Sequence, residues 1–150
     1  MNNARFFAIT LAAATVAVSI PAIAQTMGAI ETRQALMKQN GKDAKAGGAM
    51  LKGEVPFDPA KAQAIFASMH DVSMKFGNYF PADSKAGKTE ASPAIWAKPA
   101  EFKAALAKFE KDTAAAVAAK PATPDAFKAQ FIAVTTNCKS CHESFRVKTN

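Results

Sequence analysis

The run Phe127-Lys128-Ala129-Gln130-Phe131-Ile132-Ala133-Val134-Thr135-Thr136-Asn137-Cys138-Lys139-Ser140-Cys141-His142-Glu143-Ser144-Phe145 places an apolar side chain or a thiol at Phe127, Phe131, Val134, Cys138, Cys141 and Phe145. The steps are four, three, four, three and four residues, the period of one helix face rather than the alternation of a strand. Just ahead stands Thr123-Pro124, a capping hydroxyl followed by a ring whose φ is already helical. The stretch predicts a helix with one inward stripe, and such a stripe needs other elements to cover it.

Three further helical blocks precede it. The first runs from about Met27 to Leu51 and carries Ile30, Leu36, Met37 and Met50. Its Gly41, Gly47 and Gly48 predict a bend or a close helix contact. After a break at Lys52-Gly53-Glu54-Val55-Pro56, Asp58 caps a second helix with Pro59 at its first position and Ile65, Met69, Val72 and Phe76 on one face. Pro99 opens a third, striped by Phe102, Leu106, Phe109 and Val117 and stopped by Lys120-Pro121-Ala122-Thr123-Pro124. Four amphipathic helices and almost no strand pattern predict an all-α fold, an antiparallel four-helix bundle. The link from Gly77 to Pro99, with Pro81, Gly87, Pro93 and the single Trp96, exceeds the usual bundle connection of about 2–8 residues, and such links often cover a ligand.

Composition narrows the class. A chain of 150 residues, 49% apolar and 21% charged, is one domain's worth and not a disordered segment. Two cysteines exclude a disulfide-stapled scaffold and a four-thiolate zinc site. Asn2, Asn3 and Arg5, the apolar run from Phe6 to Ile20 and the small residues of Ala22-Ile23-Ala24 read as a signal peptide over residues 1–24, cleaved to leave a domain of residues 25–150. Export points to the bacterial periplasm, an oxidising compartment. Without Arg5 the domain has 18 basic and 12 acidic residues, a net charge near +6. The lysines, among them Lys38, Lys42, Lys45, Lys52, Lys61, Lys103, Lys108 and Lys111, are scattered and not interleaved with aromatics. They read as a solvated basic surface, not a nucleic-acid surface, and at most steer the protein toward acidic partners.

The chemistry lies in Cys138-Lys139-Ser140-Cys141-His142. Residues at i, i+3 and i+4 share a helix face, so two thiols and an imidazole are expected to project together into the bundle interior. That set suits one covalently attached haem c, held by thioether bonds from Cys138 and Cys141, with the His142 nitrogen on the iron. The competing readings are weaker. A thioredoxin-type CxxC belongs at a helix start, where the helix N-terminus lowers the thiol pKa. Zinc lacks a fourth ligand beyond His70, and a disulfide closing so short a helical loop is strained.

At this point the chain resembles the class II cytochromes c, the cytochrome c prime family of four-helix bundles with haem on the last helix. The resemblance rests on Glu31-Thr32-Arg33-Gln34-Ala35-Leu36-Met37, Lys52-Gly53-Glu54, Pro93-Ala94-Ile95-Trp96 and Cys138 to Arg146. It implies thioether roles for Cys138 and Cys141 and the proximal iron ligand for His142. It places Arg33 and Gln34 near the haem propionates, Thr89 and Glu90 near the haem edge, and Arg146 as a cation beside the proximal pocket. Met37 matches the position facing the distal side of the iron. In many members that residue is an apolar plug over five-coordinate iron; in a low-spin subgroup it is a methionine ligand. Leu36-Met37-Lys38, Tyr79-Phe80-Pro81 and Ala91-Ser92-Pro93 resemble the low-spin subgroup, while His70 has no matching ligand role. Met50, Met69 and Met74 are expected to be core residues, and the haem is expected to pack among Phe127, Phe131, Val134 and apolar residues of the second helix.

The function expected is one-electron transfer between periplasmic redox proteins, with binding of nitric oxide or carbon monoxide at five-coordinate iron as the alternative. A homodimer through the first two helices is compatible with the resemblance. No general base, nucleophile or substrate cleft is evident, so the chain is not read as an enzyme.

Overall fold

A computed structural model describes residues 22–147, and side chains from Met27 onward. The expected signal peptide lies outside the described residues except for its last three positions. The order is α1 (Ala22–Leu51), α2 (Pro59–Phe76), two 3₁₀ turns (Gly77–Tyr79 and Ala82–Lys85), a single-turn α3 (Ala94–Ala97), α4 (Pro99–Ala119) and α5 (Pro124–Phe145). The four long helices form the expected bundle. The long link is not a plain loop, because its 3₁₀ turns and α3 satisfy much of their own backbone.

The starts of α2 and α5 follow from their caps. Asp58 is extended and its Oδ1 accepts from the amides of Ala60 at 2.9 Å and Lys61 at 3.1 Å, while Thr123 Oγ1 accepts from Ala126 N at 3.3 Å. On α2 the buried face is Ala62, Ile65, Phe66, Met69, Val72 and Ser73. Met74 departs from expectation: it is 50% exposed, because a position five residues past Met69 has rotated off the inward stripe. On α4 the apolar stripe is completed by a fully buried Thr113, whose hydroxyl donates within its own helix and meets Ser73 Oγ of α2 at 3.0 Å. The polar residue disguised the periodicity there.

Helix α1 lies along α2, α2 along α4 and α4 along α5, whereas α1 and α5 touch sparingly. The apolar core is correspondingly split. One cluster gathers Met50, Ala62, Ile65, Phe66, Met69, Ala116, Phe127, Phe131 and Val134 at the end of the bundle where α2 and α5 begin. The other joins Ile95, Phe102 and Phe145 with Phe76, Phe80 and Trp96 beneath the connection. Each fully buried ring contributes about 1.5–3 kcal/mol of transfer free energy. Phe127 and Phe66 are such rings, 5.3 Å apart between centroids.

One close approach sets how α1 and α5 align. At Gly47 a Cβ would fall 2.1 Å from Cε2 of Phe131, so the ring rests on bare backbone. Of the three glycines that weakened α1 on paper, this is the close contact; Gly41 and Gly48 have open space around them. Gly47→Ala is expected to lower stability by about 1–3 kcal/mol through overpacking, read as a lower denaturant midpoint at unchanged slope.

Candidate functional site

On α5, Cys138 and Cys141 are half-buried and neither is in a disulfide. His142 is exposed, so the expectation that all three point into the interior fails for the imidazole. The reason is angular. The buried stripe is centred between Val134, Cys138, Cys141 and Phe145, and a residue directly after Cys141 is turned by about 100° from it. His142 therefore occupies a flank of α5. Asn137 marks the other flank, where its Nδ2 donates to Asp112 Oδ2 of α4 at 2.8 Å. That bond, with the Lys108 ammonium, holds the Asp112 carboxyl below its usual range.

Burial raises both thiols above their ordinary pKa, and at Cys141 the neighbouring Cys138 adds to it. Protonated thiols late in a helix are poor nucleophiles, the reverse of what a redox-active CxxC needs. For His142, partial burial of the ring and then the charge of Arg146 lower the pKa, with Glu90 opposing. The imidazole is thus neutral at neutral pH, the form that binds metal.

Because neighbouring helices of an up-down bundle are antiparallel, the Gly47–Phe131 contact fixes which residues of α1 and α5 share a level. Counting along both helices at equal rise, Met37 is level with Cys141 and Asn40 with Cys138. Met37 is half-buried on the inner side of α1, and Asn40 is buried with its Oδ1 lacking a hydrogen-bond partner among the described residues. From the α4 side, an open groove of about 360 Å³ reaches Cys141, floored by Ala104 and Ala105 and flanked by Lys108 and Phe145. Two thiols, a neutral imidazole and a thioether of α1 thus stand at about one level of the bundle, where Cys141 packs against the second core cluster. The residues fit a covalently attached haem. Phe127, expected beside it, is three turns from Cys138 and instead packs on Phe57 and Phe66.

The remaining candidates cluster at the connection. Arg33 is only 3% exposed. Its Nη1 donates to Tyr79 O at 3.1 Å and Ser84 Oγ at 2.8 Å, and its Nη2 to Ser84 O at 2.9 Å and Thr89 Oγ1 at 2.8 Å. Its guanidinium also lies over the rings of Phe80 and Trp96. Gln34, exposed, donates to Lys88 O at 2.9 Å. Glu90 pairs with Arg146, and an isolated antiparallel bridge joins Ala91 to Arg146, with Ser92 N donating to Phe145 O and Val147 N to Glu90 O. The structure thus joins Arg33 to Thr89 and Glu90 to Arg146. His70 is elsewhere, its Nδ1 3.2 Å from Thr113 Oγ1 between α2 and α4.

Sequence reading missed Ser84, Asn40 and Asn137. Asn40 stood seven residues past Arg33 on the same face, a signal hidden by its polarity; Ser84 had none, since only tertiary folding brings it to Arg33.

A family model for Cytochrome C' matches residues 28–146. The chain belongs to the cytochrome c' family. Among its relatives, a cytochrome c' of Rhodopseudomonas palustris is 45% identical over 130 residues, covering 85% of this chain and 86% of that protein. A cytochrome c-556 of Agrobacterium fabrum is 34% identical over 121 residues, 81% of this chain and 82% of the relative. The solved structure of cytochrome c' from Rhodopseudomonas palustris superposes with a TM-score of 0.76 at 41% identity, over 81% of this chain and 98% of the other. As a cytochrome of this family the chain carries one covalent haem c, and Cys138 and Cys141 are its two cysteines. No helix among the described residues is long and apolar enough to cross a membrane.

Arg33→Ala strips the connection of four donors and leaves buried acceptors unpaired, each costing about 1–3 kcal/mol before relaxation. The expected outcome is a lower denaturant midpoint together with faster amide hydrogen exchange at Ser84 and Ala91, whose own bonds depend on the segment staying in place.

Proposed function

We propose that this cytochrome is a periplasmic one-electron carrier whose iron is held between His142 of α5 and Met37 of α1, with Cys138 and Cys141 as the thioether anchors. The observation that carries this reading is the placement of Met37: half-buried, on the inner side of α1, and level with Cys141. When bound, the haem would supply an iron that takes up and releases a single electron, and a thioether ligand would raise its potential. The protein's part is positional. Arg33 and Thr89 hold the connection against α1, Glu90 and Arg146 tie it to the end of α5, and Gln34 adds a bond at Lys88. Together they cover the end of the bundle that contains Phe80, Trp96 and Phe102. Residues 1–24, read as a signal peptide, direct export in this proposal.

Relatives named cytochrome c' and cytochrome c-556 each match most of the chain, and in this reading residue 37 decides between a closed and an open sixth position. The optical spectrum of the reduced holoprotein tests it. A sharp low-spin α band, lost in Met37→Ala with haem still covalently attached, is the expected result. A broad high-spin spectrum in the native protein, with rapid nitric oxide binding on stopped-flow mixing, would replace this reading with gas binding.

A further inference from the structure

A buried oxygen that accepts no hydrogen bond destabilises a fold, so each one calls for a cause. Among the described residues two side chains hold such an atom, Asn40 at Oδ1 and Gln63 at Oε1. Gln63 lies early in α2, at the end of the bundle where α5 begins, and its Nε2 still donates to Val117 O of α4 at 3.1 Å. Asn40 is in the middle of α1 and only 9% exposed.

The direction of Asn40 follows from Gly47, whose Cβ hydrogen points at the ring of Phe131 on α5. Seven residues of helix are nearly two whole turns, with a drift of about 20°, so Asn40 aims its Cβ almost the same way. Cys138 stands seven residues past Phe131 on α5. Asn40 and Cys138 therefore repeat the Gly47 and Phe131 pair about 10 Å along the bundle. At Gly47 the phenyl ring fills the space between the helices, whereas elsewhere α1 and α5 touch sparingly. A haem joined to Cys138 by a thioether has that edge at the sulfur, in the space that Asn40 faces.

Polar groups nearby on α1 do not answer this oxygen. Asp43, one turn away, accepts from Ser68 Oγ at 2.7 Å on the α2 side, and the Arg33 donors go to Tyr79, Ser84 and Thr89. A buried water needs two to four polar partners, and the side chains of Met37, Ala44 and Val134 next to this level supply none. A haem ring carries no hydrogen-bond donor either. What it does carry is a charge that changes with oxidation state, since the ferric form holds one more positive charge than the ferrous.

We infer that Asn40 sets the redox potential: its unpartnered Oδ1 turns the negative end of an amide dipole toward the haem on Cys138 and so favours the oxidised state. The charges of Arg33 and Asp43 are met by their own partners, but this dipole is uncompensated. In an apolar level of low effective dielectric it acts with little screening. The oxygen that weakens the apoprotein thus holds the midpoint potential below the value an apolar residue would give. This role needs only the covalent haem of the family and holds whether or not Met37 is an iron ligand.

The test titrates four holoproteins against an electrode at neutral pH while their optical and infrared spectra are followed: the native chain, Asn40→Leu, Asn40→Val and Gln63→Leu. Leucine nearly matches asparagine in shape and has no dipole. Asn40→Leu is expected to favour reduction by about threefold to tenfold, a rise of up to about 59 mV for one electron, with the spin state unchanged. It is also expected to abolish a side-chain carbonyl band in the oxidised-minus-reduced infrared difference. Asn40→Val carries the same expectations should the leucine variant fail to fold. Gln63→Leu, which removes the other unpartnered oxygen, is expected to leave potential and band as they are. An unchanged or lowered potential in the Asn40 variants overturns the inference, and so does an equal rise in Gln63→Leu. A changed spin state in both Asn40 variants also overturns it, because residue 40 would then act through the iron ligands. A high-spin native spectrum with the rise intact sinks only the carrier reading, and a low-spin one without the rise sinks only the role of Asn40.

Discussion

The arrangement of the bundle depends on a phenyl ring lying where residue 47 has no side chain. Helix pairs that share long interfaces, α1 with α2, α2 with α4 and α4 with α5, are aligned by many contacts at once. The pair α1 and α5 is not, and the seat of Phe131 on the backbone at Gly47 is what sets their alignment. Which residues of α1 stand level with the Cys-Lys-Ser-Cys-His turn follows from that contact, Met37 and Asn40 among them.

The second constraint is Arg33. A buried guanidinium costs free energy unless its donors are occupied, and here two backbone carbonyls and two hydroxyls occupy them. Burial lowers its pKa but leaves it charged. The long link between α2 and α4 is shaped around this group: its turns at 77–79 and 82–85 present Tyr79 and Ser84 to it, and Thr89 closes the ring. The family resemblance implies a place for Arg33 near the haem propionates; in the structure its four hydrogen bonds organise the connection.

What the sequence made legible was whatever repeats or is local. The stripe of α5, the caps at Asp58 and Thr123 and the inward face of α2 are short-range patterns, and the structure keeps them. The Cys138, Cys141 and His142 constellation was legible as chemistry, but the turn of His142 onto the flank was not, because residue spacing says which side chains are neighbours and not where the centre of the buried stripe falls. Thr113, Asn137 and Asn40 were hidden because a polar residue in a buried stripe breaks the hydrophobic pattern, and its partner comes from another helix. The acceptors of Arg33 were beyond reach for the same reason: Ser84 lies 51 positions away and meets it only after folding.

The seat at Gly47 also acts as a fulcrum. Met37 is ten residues along α1, a lever arm of about 15 Å at the helical rise. His142, by contrast, rides on a helix braced by Asp112 on one side and by the strand-like tie to Ala91 at its end. A tilt of α1 by only about 5° around the fulcrum would carry the sulfur roughly 1.3 Å, several times the ~0.2 Å tolerance of a metal–ligand bond. The spacing of thioether and imidazole thus answers to two holds on α1, the seat at Gly47 and the four hydrogen bonds of Arg33 one turn from Met37, and chains with the same two side chains but a different residue at that pivot would hold them at a different spacing.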